Sequence, residues 1–328
     1  MIKLLDEVHF DGSVLDLLVL DERILVIDST MTLHLIAAET FRFIKKIPLD
    51  GEHCDDTHPY AKRGTLSTSN AVAVVEEEHN VVVKSFAKSG DAQSYRKKLG
   101  KPVEVLQASI DGKYLAIGGT DGKVSVYFMD SGQLCAELPT RPDYISSLAF
   151  SDGSQILASC CYDKSITLFD LDTNQVIDDI YFEAVVEDCR FFDENRRLYA
   201  IMRDGRSLIY NIEESRVESQ QMLFSDWPTR IQLNENRQYA IVGSRSDRLN
   251  VVALENNTVR FDVRMKRHGI SMVKLREKYL FVGYIDGTLE VYAYDKHLED
   301  LRISPKVKDF AGARKLVDEN IFLQLYPF

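Results

Sequence analysis

The chain has 328 residues, 45% hydrophobic and 28% charged, a composition ordinary for a folded protein in water. Its formal net charge of -11 argues against nucleic acid or an anionic membrane as the main partner, since both reward clustered Lys and Arg. No apolar stretch approaches a membrane span, and the five cysteines (Cys54, Cys135, Cys160, Cys161, Cys189) show no CxxC spacing, which suits reduced thiols.

In chain order, residues 1–10 turn acidic at Asp6 and lack a long apolar core, so as written they are not a signal peptide. A cytoplasmic location follows as the expectation, or a periplasmic one if a leader has been removed. Residues 3–10 read as an outer strand without a unit of its own. Val14 opens a unit that runs to Leu49, an insertion spans 50–64, and Thr65 opens the next unit. Further units open at Val103, Tyr144, Val185, Pro228 and Gly269, with steps of 41, 41, 43 and 41 residues. A period in this range marks a repeat architecture in which no unit buries its own hydrophobic face.

Each unit resolves into four strands, a to d, with a innermost. The unit at Tyr144 is representative: Tyr144–Ser151, Ile156–Tyr162, Ser165–Leu171 and Gln175–Phe182 are separated by Asp152-Gly153, Asp163-Lys164 and Asp172-Thr-Asn174. These turn residues suit short hairpins. The b and c strands are nearly continuous in apolar character and should be buried on both faces. Near the C-terminus, Arg314–Leu323 echoes Val273–Val282 and reads as strands a and b of one more, partial unit. The outer strand at residues 3–10 can complete it, removing an open edge.

This pattern predicts an all-β fold, a β-propeller occupying 1–328 as a single domain. Eight blades are expected, with seven as the alternative count, and the closing blade is shared between the N- and C-termini. The repeats resemble the WD40 family. Asp121, Asp163, Asp204, Asp247 and Asp286 stand where that family places its b–c turn aspartate, and Ser159 holds its b-strand hydroxyl position. No Gly-His pair precedes the a strands and no Trp-Asp closes the c strands, so the family's buried hydrogen-bond network is largely missing. By this resemblance the d–a and b–c loops share the top face, around the mouth of a central channel.

The top-face insertion at 50–64 packs His53, Cys54, Asp55, Asp56 and His58 together. His53, Cys54, Asp56 and His58 are weak zinc-ligand candidates, because the spacing matches no closed site; the competing reading is a solvated polar loop. Around the mouth, Trp227, Tyr144, Arg141, Arg267 and His268 are the candidate protein-binding residues, since exposed Trp, Tyr and Arg dominate many interfaces. Trp227 reads equally well as filling between blades. No Gly-x-Ser-x-Gly elbow, phosphate loop or His-Glu-x-x-His occurs. The expectation is therefore a non-enzyme without cofactor, a protein-protein interaction scaffold that presents its top face to a partner protein. The alternative is a channel-centred metal-dependent hydrolase or another propeller enzyme. The overall look is also similar to bacterial propeller accessory proteins encoded with periplasmic nitrate reductase, which implies a respiratory reductase or its precursor as partner.

Overall fold

Apolar runs of six or seven residues favour extended backbone, and the Asp, Asn and Gly between them favour tight turns. The computed structural model describes residues 2–19, 23–49, 64–67, 71–76, 80–85, 94–98, 102–276, 279–293 and 303–304. Among them the runs form antiparallel sheets, six of four strands and one of five.

We number the sheets as blades by their innermost strands. These are Val14–Val19, Gly64–Ser67, Val103–Ala108, Ile145–Phe150, Val186–Phe192, Pro228–Leu233 and Ile270–Arg276 for blades 1 to 7. Each innermost strand touches the next, and that of blade 7 touches that of blade 1. The ring is closed.

The expected count of eight is corrected here. The unit at Gly269 contributes three strands, Ile270–Arg276, Tyr279–Tyr284 and Thr288–Ala293, and its fourth is the N-terminal strand Ile2–His9. That strand therefore completes an existing blade and seeds no further one. Val8 lies opposite Leu289 and His9 opposite Thr288, and the Phe10 N–H donates to the Gly287 carbonyl at 2.8 Å. The physical reason is that Thr288–Ala293 would otherwise present a row of unpaired backbone groups. Ile303–Ser304 adds outside it, parallel to Ile2–Lys3, as the fifth strand. The echo at Arg314–Leu323 and the insertion with His53, Cys54, Asp56 and His58 lie outside the described residues.

In blades 4 to 7 the b and c strands are largely buried on both faces, as their apolar continuity predicts. In blade 4, Leu157, Ala158, Cys160, Ile166 and Leu168 are inaccessible to solvent, while the outer strand Gln175–Tyr181 is mostly exposed. Hydrophobic clusters straddle the seams: Cys160, Ile166 and Leu168 of blade 4 pack with Val186, Cys189 and Phe191 of blade 5. Each such aliphatic side chain contributes about 1.5–3 kcal/mol on burial. Stability therefore resides between blades as much as within them.

A repeated bulge shapes the wall of the channel. Innermost strands of blades 1, 3, 4, 5, 6 and 7 all shift register at their second residue. An extra residue there bends the strand and re-aims a side chain. In three blades that residue carries a hydroxyl which donates to the next blade's innermost strand. Ser146 reaches the Val186 carbonyl at 2.6 Å, Thr229 that of Ile270 at 2.8 Å, and Ser271 that of Val14 at 2.8 Å. In blade 5 the same position holds Glu187, which makes a different contact.

Buried polar groups are held in local networks. In blade 1, Asp28 and His34 are wholly buried and pair at 2.8 Å between Oδ2 and Nε2. Asp28 Oδ1 also accepts from the Thr30 hydroxyl at 2.6 Å and from the Thr30 and Thr32 N–H groups at 3.1 and 3.2 Å. Burial alone would raise this carboxyl, but the hydrogen bonds and the imidazole hold it below the usual carboxylate range. In blade 7, buried Glu290 accepts from the Tyr284 and Tyr292 hydroxyls at 2.5 and 2.6 Å.

Candidate functional site

The b–c turn aspartates serve the backbone. Asp121, Asp163, Asp204 and Asp286 accept from the N–H two residues on, at 3.2, 3.0, 3.2 and 2.9 Å. The residue following the aspartate takes a left-handed conformation, with φ of 75° at Gly122, 91° at Gly205 and 81° at Gly287. At Gly205 a Cβ would run into the Phe224 carbonyl oxygen. The glycine is required there both by its positive φ and by this close approach.

Several d–a loops then clasp the next b–c turn. Arg141 is largely covered: it pairs with Asp163 at 3.0 Å and Asp179 at 3.3 Å, and donates to Ser165 Oγ and the Tyr181 hydroxyl at 2.8 and 3.0 Å. Arg267 pairs with Asp286 at 3.0 Å and with Glu7 at 3.7 Å, so it binds the N-terminal strand into blade 7. Asp226 accepts from the Ser246 N–H at 3.0 Å. The structure thus places Arg141 and Arg267 in clasps within the fold. His268 is exposed beside Arg267 and acts electrostatically on Asp247, which pairs with Arg264 at 2.8 Å.

Tyr144 and Trp227 lie elsewhere, immediately before the innermost strands of blades 4 and 6. At this level the a and b strands share a last backbone rung. Tyr162 N–H donates to the Tyr144 carbonyl, Arg203 to Val185 and Arg245 to Trp227, each at 2.8 Å. Because the a strand is innermost, these rungs ring the mouth of the channel. In blades 4 to 6 their side chains stack on one another. The rings of Tyr144 and Tyr162 are stacked with centroids 6.0 Å apart. The Arg203 guanidinium lies 4.3 Å from the Tyr162 ring and 4.7 Å from that of Trp227. Arg245 covers the Trp227 ring at 4.9 Å.

The result is a five-membered ladder, Tyr144–Tyr162–Arg203–Trp227–Arg245, crossing three blades. Tyr144 and Trp227 remain 39% and 43% exposed, and Ile285, on the next rung, is 36% exposed. Cation–π contacts of this kind contribute about 0.5–1 kcal/mol each at exposed sites. They hold the rings in place before anything binds.

The ladder is anchored from below by the bulge of blade 5. Arg203 Nε donates to Glu187 Oε1. Burial pushes the Glu187 carboxyl up, against the pull of Arg203 and Arg230. Beside it Asp188 is wholly buried. Its Oδ1 accepts from Ser147 Oγ of blade 4 and Arg190 Nη1 of blade 5, both at 2.6 Å. Its Oδ2 accepts from the Ile231 N–H of blade 6 at 3.1 Å. One carboxylate therefore fixes the three blades that carry the ladder.

Of the five residues expected to bind a partner, the structure brings Tyr144 and Trp227 into one stack and leaves Arg141, Arg267 and His268 out of it. Tyr162, Arg203 and Arg245 were missed. The signal was present: each sits at the end of its b strand, within two residues before the turn aspartate. Among the described residues no group of three or more His, Cys, Asp or Glu is placed to hold a metal ion, and no helix is long and apolar enough to cross a membrane.

Residues 132–170 match the WD40 family, described as WD domain, G-beta repeat. A 152-residue stretch is 24% identical to actin-interacting protein 1 of Drosophila melanogaster, covering 44% of this chain and 23% of that protein. A 100-residue stretch is 33% identical to the COMPASS component SWD1 of Saccharomyces cerevisiae, covering 29% of this chain and 24% of that protein. The matches thus span about a quarter of each relative. The crystal structure of the computationally designed Ika8 protein superposes with a TM-score of 0.67 over 89% of this chain and 99% of that one, at 15% identity, which speaks to the fold alone. Repeat match, relatives and ring of sheets agree, and the chain is a WD40-like β-propeller.

Proposed function

We propose that the chain is a non-catalytic protein-interaction scaffold that docks a partner protein on the channel mouth over blades 4 to 6. The observation that carries this reading is the ladder: Tyr, Arg and Trp side chains, partly exposed and immobilised by their own stacking. Such residues supply most of the binding energy at protein interfaces, and side chains ordered in advance lose little entropy on binding. The names of two relatives, an actin-interacting protein and a component of a complex, accord with a role in assembly. Nothing in these relatives supports a respiratory reductase as the partner.

The test is affinity capture from the native host with the wild-type chain, a Trp227→Ala/Arg203→Ala variant, and a Leu134→Ala control on the outer strand of blade 3. A partner retained by wild type and control but reduced about tenfold or more by the double variant supports the proposal. Equal recovery by all three proteins rejects the ladder as the docking surface.

A further inference from the structure

The seam between blades 4 and 5 holds two thiols in contact. Cys160 lies in the b strand of blade 4 and Cys189 in the innermost strand of blade 5. Their sulfurs are 3.4 Å apart, both side chains are wholly buried, and both are reduced. The neighbouring Cys161 points the other way, with its sulfur 3.2 Å from the Asp143 carbonyl, and burial pushes its thiol up to about 11. Adjacent strand residues face opposite sides of the sheet. Cys160 is thus aimed across the seam, and Cys161 is aimed at its own blade's loop.

We propose that Cys160 and Cys189 are a modification site, closing to an inter-blade disulfide when the protein meets a peroxide. This inference does not rest on the ladder being a docking surface. The sulfurs need to approach by about 1.4 Å to reach bonding distance, a displacement within the reach of side-chain rotation. Ser146, Ser147 and Asp188 hold the innermost strands of blades 4 and 5 together, and the b strand that carries Cys160 pairs with the first of these, Cys160 opposite Ser147. In the first step one thiolate sulfur attacks a peroxide oxygen. The O–O bond breaks, a sulfenic acid forms, and the departing hydroxide takes up the thiol proton as water. In the second step the other sulfur attacks the sulfenic sulfur. An S–S bond forms, the S–O bond breaks, and a second water leaves. Two thiols give up two electrons, and one peroxide becomes two waters.

Cys189 follows Glu187 and Asp188 directly, so the bond would tether the strand that anchors Arg203. Closure needs a small oxidant, because neither sulfur is accessible from solvent. Hydrogen peroxide is small enough to meet this requirement, and bulky alkylating reagents are not.

The experiment uses the full chain with Cys54, Cys135 and Cys161 replaced by serine, treated with hydrogen peroxide and then denatured in the presence of a thiol reagent. The expected result is a fall from two titratable thiols to none, a mass loss of about 2 Da, and recovery of both thiols with dithiothreitol. Two thiols still titratable after treatment, or oxygen added without a cross-link, would overturn the proposal. Should the serine variant not fold, peptide mapping of the oxidised wild-type chain decides the same question. A peptide joining Cys160 to Cys189, absent in Cys189→Ser, supports the proposal, and its absence from the oxidised wild type rejects it.

Discussion

Replacing Asp188 should destabilise the protein more than replacing any other single side chain around the channel. Asp188→Ala withdraws the acceptor from Ser147 Oγ, Arg190 Nη1 and the Ile231 N–H at once. Hydrogen bonds to a charged group contribute about 1.5–3 kcal/mol each, and a buried donor left without a partner costs about 1–3 kcal/mol. Relaxation and entering water return part of this, and removal of one partner from a buried ionic cluster typically costs about 3–5 kcal/mol. We expect about 4 kcal/mol for Asp188→Ala, judged by that range, and about 1 kcal/mol for Ser147→Ala, which loses a single donor. Asp188→Asn should fall between them, because its amide nitrogen would face donors. Urea unfolding followed by circular dichroism reads these differences from the midpoint at constant slope. A double-mutant cycle between positions 147 and 188 should show coupling, since the residues touch across a seam. A loss below about 1 kcal/mol for Asp188→Ala would refute the idea that this carboxylate ties three blades together.

Gly205→Ala should cost about 2 kcal/mol or more, through a positive φ and a Cβ against the Phe224 carbonyl, whereas Gly153→Ala meets nothing within 4 Å and should cost about 1 kcal/mol. Comparing the two by thermal melting separates steric from conformational strain, and equal losses would show that the contact is unimportant. Deleting residues 2–9 should abolish a cooperative melt and cause aggregation, because it bares the edge of Thr288–Ala293; an unchanged melting curve would contradict the shared blade. Asp28, Asp163 and Asp286 each sit below their ordinary value, with burial opposed by hydrogen bonds and by His34, Arg141 and Arg267 respectively. Their folded pKa values lie below their unfolded ones, so the stability they contribute is present above about pH 4 and is lost as pH falls through the folded values. Unfolding free energy should therefore decline below about pH 4, and less steeply in Arg141→Ala, whose Asp163 lacks its cation; identical acid limbs would argue against this clasp.

Much of the fold was legible in one dimension because its causes are local. The strands of blade 4 follow from apolar runs of six or seven residues, and its turns from Asp163-Lys164 and Asp172-Thr-Asn174, whose side chains and φ preferences act over two or three residues. A period near 41 residues implies stacked units because each unit alone leaves apolar faces exposed. The count went wrong where closure is non-local. Whether Ile2–His9 completes a partial unit at Arg314–Leu323 or the one at Gly269 depends on which edge it meets in space, and Thr288–Ala293 lies about 280 residues away. His34 likewise meets its partner Asp28 only when two neighbouring strands fold side by side.

The candidate site divides in the same way. Residue type and position in the repeat were enough to single out Trp227 and Tyr144, which stand at the start of innermost strands. Arg141 and Arg203 are chemically equivalent in the sequence, yet one is enclosed by Asp163, Asp179 and Tyr181 while the other lies between two aromatic rings. Composition and periodicity determined strands, turns and a repeating body, because these express short-range preferences of the chain. Ring closure, the bond network of Asp188, the contact of Cys160 with Cys189 and the stack over three blades were decided only by tertiary structure. Each joins groups from different repeats, and their meeting is set by how the blades pack.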